Sequence, residues 1–242
     1  MFSRIALAKM IDQSLLRPDA TEEEIVAFCE DSRREHFATV VVYPCWLAVA
    51  ERCLRDSDVK LGTVIGFPSG ATTTACKVFE TKQALSLCAT ELDVAINIGA
   101  LKSGNLEVVS RDLEEVVTAA QMAGLTADGE GVLVKIIVET GLTTRAEQEK
   151  ACRMVQEVRA DFVKTCTGFG PRGVTVDDIK FLRQALGRDT GIKAAGGVRT
   201  YEQARALVNA GADRIGTSAG LALLEGYDRA EEPIAEEALG RE

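Results

Sequence analysis

The chain has one histidine in 242 residues, His36, and it follows the charged run Asp31-Ser32-Arg33-Arg34-Glu35. A polar residue beside such a run belongs to a solvated helix end. Histidine-based triads and histidine-ligated metals are thereby set aside, and no metal is expected. The seven cysteines are odd in number and include no C-x-x-C pair, so a disulfide framework and a zinc cluster both fit poorly. Reduced thiols are the expectation. No run of eighteen apolar residues occurs, so no transmembrane helix is expected. The opening Met1-Phe2-Ser3-Arg4-Ile5-Ala6-Leu7 is too short in apolar residues for a secretory signal, and Lys9 and Asp12 interrupt it. Positive charge is in the minority: the formal net charge is -9. Nucleic-acid binding requires a broad positive field that such a chain lacks. These absences point to a cytoplasmic protein with no nucleic-acid or membrane partner.

What is present suits a packed enzyme domain. Hydrophobic residues make up 46% and charged residues 27%, enough for a sizeable core and a solvated surface. Short apolar runs rich in β-formers recur at Thr39–Tyr43, Lys60–Phe67, Leu92–Ile98, Val132–Val138, Asp161–Thr165, Gly191–Ala195 and Asp213–Gly216, with an eighth near Met10–Leu15. Continuous apolar runs suit strands buried on both faces of a parallel sheet. Helical patterns lie between them, at Thr21–Glu35, Thr73–Ala89, Asn105–Ala123, Thr144–Val158, Val176–Leu186, Tyr201–Ala210 and Ser218–Glu225. Thr21 followed by Glu24 reads as a capping box. Asp177 and Asp178 in a first turn, with Arg183 near the end, suit the helix dipole. The acidic tail from Tyr227 is expected to extend or fray the last helix. Strand and helix alternating over about 250 residues predict an α/β fold, a (β/α)8 TIM barrel spanning residues 1–242 as one domain. A doubly wound open sheet would usually carry G-x-G-x-x-G after its first strand, and that motif is absent.

In such barrels chemistry sits at the C-terminal ends of the strands. The run Asp161-Phe162-Val163-Lys164-Thr165 sets Lys164 at a strand end, on the face of Phe162. The next run, Gly191-Ile192-Lys193-Ala194-Ala195, carries a second lysine in an apolar strand. Neighbouring strands lie about 4.8 Å apart. Like charge and desolvation would then favour a neutral amine, as a Schiff-base nucleophile requires. Asp93 interrupts the apolar run Leu92–Ile98 and is a candidate for proton transfer beside the lysines. Lys135 and Glu139 share a face and are expected to pair inside the barrel, with Lys135 deeper than Lys164. Gly196-Gly197 and Gly216-Thr217-Ser218-Ala219-Gly220 each precede a helix, where backbone N–H groups can meet an anion. Barrels often bind phosphate at the loops after strands 7 and 8, so a phosphorylated substrate is expected.

Val163-Lys164-Thr165-Cys166-Thr167-Gly168-Phe169 resembles the V-K-T-S-T-G-F signature of deoxyribose-phosphate aldolases. Ile11-Asp12-Gln13-Ser14-Leu15-Leu16 is similar to the family's I-D-H-T-L-L segment. Val64-Ile65-Gly66-Phe67-Pro68-Ser69-Gly70 resembles its V-I-G-F-P-x-G loop, and Asp93-Val94-Ala95-Ile96-Asn97-Ile98-Gly99-Ala100-Leu101-Lys102-Ser103-Gly104 its D-M-V-I-N-I-G-A-L-K-S-G block. Lys193-Ala194-Ala195-Gly196-Gly197-Val198-Arg199 and Arg214-Ile215-Gly216-Thr217-Ser218 complete the series. The resemblance implies a (β/α)8 class I aldolase that uses no cofactor and cleaves 2-deoxyribose 5-phosphate. It implies Lys164 as the Schiff-base lysine, Lys193 as the second lysine and Asp93 as the relay carboxylate. Gly196, Gly197, Gly216 and Ser218 match phosphate-binding positions, and Asp12 matches a supporting polar position at the end of the first strand. Ser14, Thr167 and Gly168 complete the candidate substrate site. Gln13, Ser14, Cys166 and Ala219 depart from the family pattern, which bears on rate and on the handling of substrate hydroxyls. The other readings are a different Schiff-base aldolase, a sugar-phosphate isomerase, or a non-catalytic phosphometabolite-binding protein. A homo-oligomer, by default a dimer, is expected.

Overall fold

A computed structural model describes residues 3–231 except 125, 127 and 128. Eight parallel strands close a barrel in sequence order: β1 (Ile11–Leu15), β2 (Thr39–Val42), β3 (Lys60–Ile65), β4 (Glu91–Ala95), β5 (Leu133–Ile137), β6 (Phe162–Lys164), β7 (Gly191–Ala195) and β8 (Arg214–Thr217). Each observed strand lies within one residue of its apolar run except at β3 and β4, where the strand ends two to three residues before the run does. At β4 the chain leaves the sheet because Asn97 caps a short helix, its side chain accepting from the Ala100 N–H at 3.0 Å.

Among the described residues the helices are α1 (Arg4–Ala8), α2 (Glu22–Arg34), α3 (Leu47–Leu54), α4 (Thr74–Ser86), α5 (Ile98–Lys102), α6 (Leu106–Gln121), α7 (Arg145–Glu157), α8 (Val176–Leu186), α9 (Tyr201–Asn209) and α10 (Gly220–Glu231). The capping box at Thr21 and Glu24 is present. Three more helices open in the same way, at Thr144 with Glu147, Thr175 with Asp178, and Thr200 with Gln203. A cap of this kind contributes about 1 kcal/mol. It also fixes the angle at which the chain leaves a strand end. Helices α1, α3 and α5 were not anticipated. They are short, and the α3 segment holds Leu47, Ala50 and Leu54 at helical spacing as its only periodic signal. The proposed extension of the last helix is seen only to Glu231, and the acidic residues beyond lie outside the described residues.

Alternation along the strands divides the barrel into two layers. Residues such as Val40, Leu92, Val94, Val134, Ile136, Val163, Ile192 and Ile215 face the helices and form the apolar core. The inward face is different in kind. Asp12, Glu91, Asp93, Lys135, Lys164 and Lys193 all lie buried within it. At the same depth β2 and β3 contribute Thr39, Val41, Gly62 and Val64, so none of this charge comes from those two strands. No described helix is long and apolar enough to cross a membrane.

Candidate active site

Lys164 ends β6 and pairs in register with Lys193 of β7. Both residues are at most 2% exposed. Their amines converge on a single oxygen: Lys164 Nζ donates to Asp93 Oδ2 at 2.8 Å and Lys193 Nζ donates to it at 2.7 Å. Asp93 comes from β4, across the barrel, and its other oxygen lies 3.4 Å from Lys135 Nζ. The two lysines and the carboxylate singled out in the sequence are thus one hydrogen-bonded cluster.

Burial pushes the Lys164 amine below the ordinary lysine range, against the pull of Asp93 and with help from the like charges of Lys193 and Lys135. Burial alone would raise Asp93, but Lys164, Lys193 and Lys135 together hold it well below the usual carboxylate range. These two tendencies are compatible because Asp93 keeps two other lysines when Lys164 is neutral. Lys193 is fixed from both sides, with Asp12 Oδ2 and Asp93 Oδ2 each 2.7 Å away.

Above Lys164 opens a cleft of about 330 Å³ at the C-terminal ends of the strands. Ser14, Lys164, Thr167, Gly168, Gly196, Gly197, Gly216 and Ser218 all line it. Asp93 and Lys193 lie beneath it. Gly168, Gly196 and Gly197 have φ values of +91°, +106° and +78°, a backbone that glycine adopts readily and that lines the cleft without side chains. Gly216 has another reason for its identity. A Cβ there would lie 2.9 Å from Lys193 Cε and 2.8 Å from Ala195 Cβ, so the second lysine crosses the space a side chain would fill.

Two placements differ from the sequence reading. Asp12 is the second residue of β1, not its end, and is wholly buried. It contacts Lys135 at 3.2 Å, Lys193 at 2.7 Å and Arg214 at 2.9 Å, which makes it a floor carboxylate rather than a wall of the cleft. Glu139 does not pair with Lys135. The left-handed backbone at Glu139 (φ +47°) turns its side chain to the β6–α8 loop, where Oε2 accepts from Thr167 N at 2.9 Å and from Thr167 Oγ1 at 2.5 Å. Lys135 bonds Glu91 instead. Glu91 and Arg214 were missed as parts of this cluster. Period-2 spacing from Asp93 to Glu91 and from Gly216 to Arg214 was the available signal.

Phe169 also lines the cleft. Phe67 stacks edge-on with Phe169, centroids 5.5 Å apart, and Lys164 Nζ lies 5.8 Å from the Phe67 centroid.

Residues 6–226 match the DeoC/LacD family aldolase profile. The chain belongs to the DeoC/LacD family of aldolases. It is 50% identical to the deoxyribose-phosphate aldolase of Streptococcus gordonii, over 91% of this chain and 96% of that one. It is 48% identical to the deoxyribose-phosphate aldolase of Thermococcus gammatolerans, over 93% of this chain and 98% of that one. The tetrameric deoxyribose phosphate aldolase of Aeropyrum pernix superposes with a TM-score of 0.86 at 31% identity, covering 94% of this chain and 93% of that one.

The departures from the motif pattern in this DeoC/LacD family member fall mostly away from the cleft. Cys166 is wholly buried, with Sγ 3.3 Å from Thr140 Oγ1, and burial pushes its thiol up. Gln13 is 3% exposed, and its Oε1 accepts from the Gly220 N–H at 2.9 Å, which caps α10. Ala219 donates its N–H to Thr217 Oγ1 at 2.9 Å, a contact that needs no side chain. Ser14 alone of the four lines the cleft.

Proposed function

We propose that the chain is a deoxyribose-phosphate aldolase, acting as one catalytic domain over residues 1–242, that reversibly cleaves 2-deoxyribose 5-phosphate to glyceraldehyde 3-phosphate and acetaldehyde. The observation that carries this reading is the shared Asp93 oxygen, which joins a desolvated Lys164 to a second lysine. In the proposed sequence the neutral Lys164 amine adds to the C1 aldehyde and the carbinolamine loses water to give an iminium. Removal of the C3 hydroxyl proton lets the C2–C3 electron pair move into the iminium. Glyceraldehyde 3-phosphate leaves and an enamine remains. Protonation at C2 and addition of water then release acetaldehyde and return the free amine. Asp93 accepts protons, Lys193 supplies them, and a water bridges to the substrate.

The phosphate is assigned to the N–H groups around Gly168, Gly196, Gly197 and Ser218, with Ser14 beside them on β1, the strand that pairs with β8. Thr167 orders the loop, since its hydroxyl is already engaged by Glu139. Holding the phosphate fixes C1 relative to Lys164. The chain is proposed to be cytoplasmic and to assemble as a homo-oligomer, a dimer being the simplest unit. Its tetrameric relative from Aeropyrum pernix supports the oligomer.

The test is reductive trapping. Sodium borohydride added with acetaldehyde should leave a reduced adduct on the peptide that contains Lys164. An adduct on Lys135 or Lys193 instead, or no adduct in an enzyme that turns over substrate, would overturn the assignment.

A further inference from the structure

The floor of the barrel holds more charge than the proposed steps use. Seven formally charged side chains make one connected set among the described residues: Asp12 from β1, Glu91 and Asp93 from β4, Lys135 from β5, Lys164 from β6, Lys193 from β7 and Arg214 from β8. The facing residues of β2 and β3, Thr39, Val41, Gly62 and Val64, do not ionise, and Lys60, at the start of β3, pairs with Glu130 at 3.1 Å. Glu139, at the β5–α7 turn, is turned away to Thr167. Asp161, at the foot of β6, accepts from the Val134 N–H through Oδ2 at 2.8 Å.

The contacts are unevenly shared. Lys135 touches three carboxylates: Glu91, Asp12 at 3.2 Å and Asp93 at 3.4 Å. Lys193 touches Asp12 and Asp93. Arg214 touches Asp12 at 2.9 Å and Glu91 at 3.7 Å. Lys164 touches Asp93 alone. Four cations therefore face three carboxylates, and the cation with fewest partners is the one at the cleft. A buried charge without a partner is costly, and the usual outcome is that the group neutralises. The set closes at zero charge when Lys164 gives up its proton.

We infer that Lys135, anchored on Glu91, Asp12 and Asp93, is a positioning residue that keeps Lys164 unprotonated by occupying carboxylate oxygens that would otherwise hold its proton. Arg214 assists from the rim of the set by engaging the remaining oxygens of Asp12 and Glu91. This rests on Lys164 being the nucleophile. It adds that the nucleophile's proton affinity is fixed by the whole floor, not by the neighbouring Lys193 alone. Lys135 lies one strand away and does not line the cleft, so it acts through Asp93 and never touches substrate.

The test is the pH profile of kcat/KM, whose acid limb reports ionisation in the free enzyme. In Lys135→Met the set has three cations and three carboxylates, so the acid limb should move up by about one pH unit or more. Glu91→Gln should move it down. The double variant Glu91→Gln with Lys135→Met restores the charge sum and should bring the limb back towards its original position. Arg214→Met, at the partly exposed edge, gives a milder change of the same sign as Lys135→Met and serves if the deeper variant does not fold. A purely structural role would lower activity at all pH values without moving the limb, and an unmoved limb in Lys135→Met and Arg214→Met would overturn the inference. Borohydride trapping with peptide mapping runs alongside. An adduct still on Lys164 with an unmoved limb sinks only the role of Lys135, whereas an adduct elsewhere sinks the nucleophile assignment.

Discussion

Lys164 and Lys193 stand opposite each other in the register of β6 and β7, and their amines donate to one oxygen of Asp93 at 2.8 and 2.7 Å. The arrangement makes the two amines inequivalent. Lys193 has a second carboxylate, Asp12, and Lys164 does not. The proton that leaves most readily is therefore the one on the lysine that lines the cleft.

The first consequence concerns pH. Lys164 is pushed below the ordinary lysine range by burial, so it gives up its proton at lower pH than an exposed lysine does. The neutral form is the nucleophile, so kcat/KM should fall as pH drops through the lowered value and level off above it. Lys193→Met removes one like charge and releases Asp93 to pair more fully with Lys164. Its acid limb should shift to higher pH, with a rate loss of more than about a hundredfold from the missing proton donor. Steady-state kinetics from pH 5 to 10 (roughly the range that brackets the limb) would check both.

Asp93→Asn tests stability as well as rate. It leaves three buried lysines around a neutral amide, and breaking a buried ionic cluster from one side typically costs about 3–5 kcal/mol. The sign with pH follows from linkage. Asp93 is depressed in the fold, so its contribution is present above the ordinary carboxyl range and is lost as pH falls through the depressed value. Urea unfolding at neutral pH should show the full deficit in Asp93→Asn. The gap between variant and parent should narrow at strongly acid pH. A variant as stable as the parent at neutral pH would contradict the pairing.

The sequence carried the barrel because its strands are apolar on the helix-facing side and its helices announce themselves by Thr caps. Lys164, Lys193 and Asp93 stood out because a charge inside an apolar strand has few explanations. Partner choice was less accessible. Lys135 and Glu139 share a strand face, but a left-handed backbone at Glu139 turns that carboxylate towards another loop, and no local pattern encodes such a turn in a non-glycine residue. Asp12 was set at a strand end by the family resemblance alone, although the apolar run Met10–Leu15 already places it inside the strand. Glu91 gave no signal beyond sharing a face with Asp93. The three short helices had too few turns for periodicity to rise above chance.

Glu139→Gln should disturb the β6–α8 loop without touching the amines. Its Oε2 accepts from both the backbone and the hydroxyl of Thr167, and an amide of the same shape can satisfy both only with its oxygen in that position. The expected result is a raised KM for the phosphorylated substrate, with Lys164 still trapped by borohydride at the same pH. Replacing a charged acceptor by a neutral one costs about 1–2 kcal/mol of loop stability, readable as faster hydrogen exchange at Thr167 and Phe169. Unchanged exchange there would show that the loop is held by Asp178 and Arg172, paired at 2.6 Å, instead.

Gly216→Ala separates two explanations for one residue. If Gly216 serves only phosphate, added bulk should raise KM for the phosphorylated sugar, leave kcat alone, and do nothing to a substrate without phosphate. The geometry favours a different outcome. The new methyl would lie 2.9 Å from Lys193 Cε, and Lys193 cannot swing aside because its amine is held at 2.7 Å by both Asp12 and Asp93. Ala195 Cβ, 2.8 Å away, blocks the other side. Overpacking of this kind costs about 1–3 kcal/mol, and the strain falls on the proton donor. The variant should fold, lose at least about tenfold in kcat because a small misplacement of a catalytic group is expensive, and lose it equally on 2-deoxyribose lacking phosphate. Equal loss on both substrates assigns Gly216 to the passage of Lys193. A loss confined to the phosphorylated sugar would return it to the anion site.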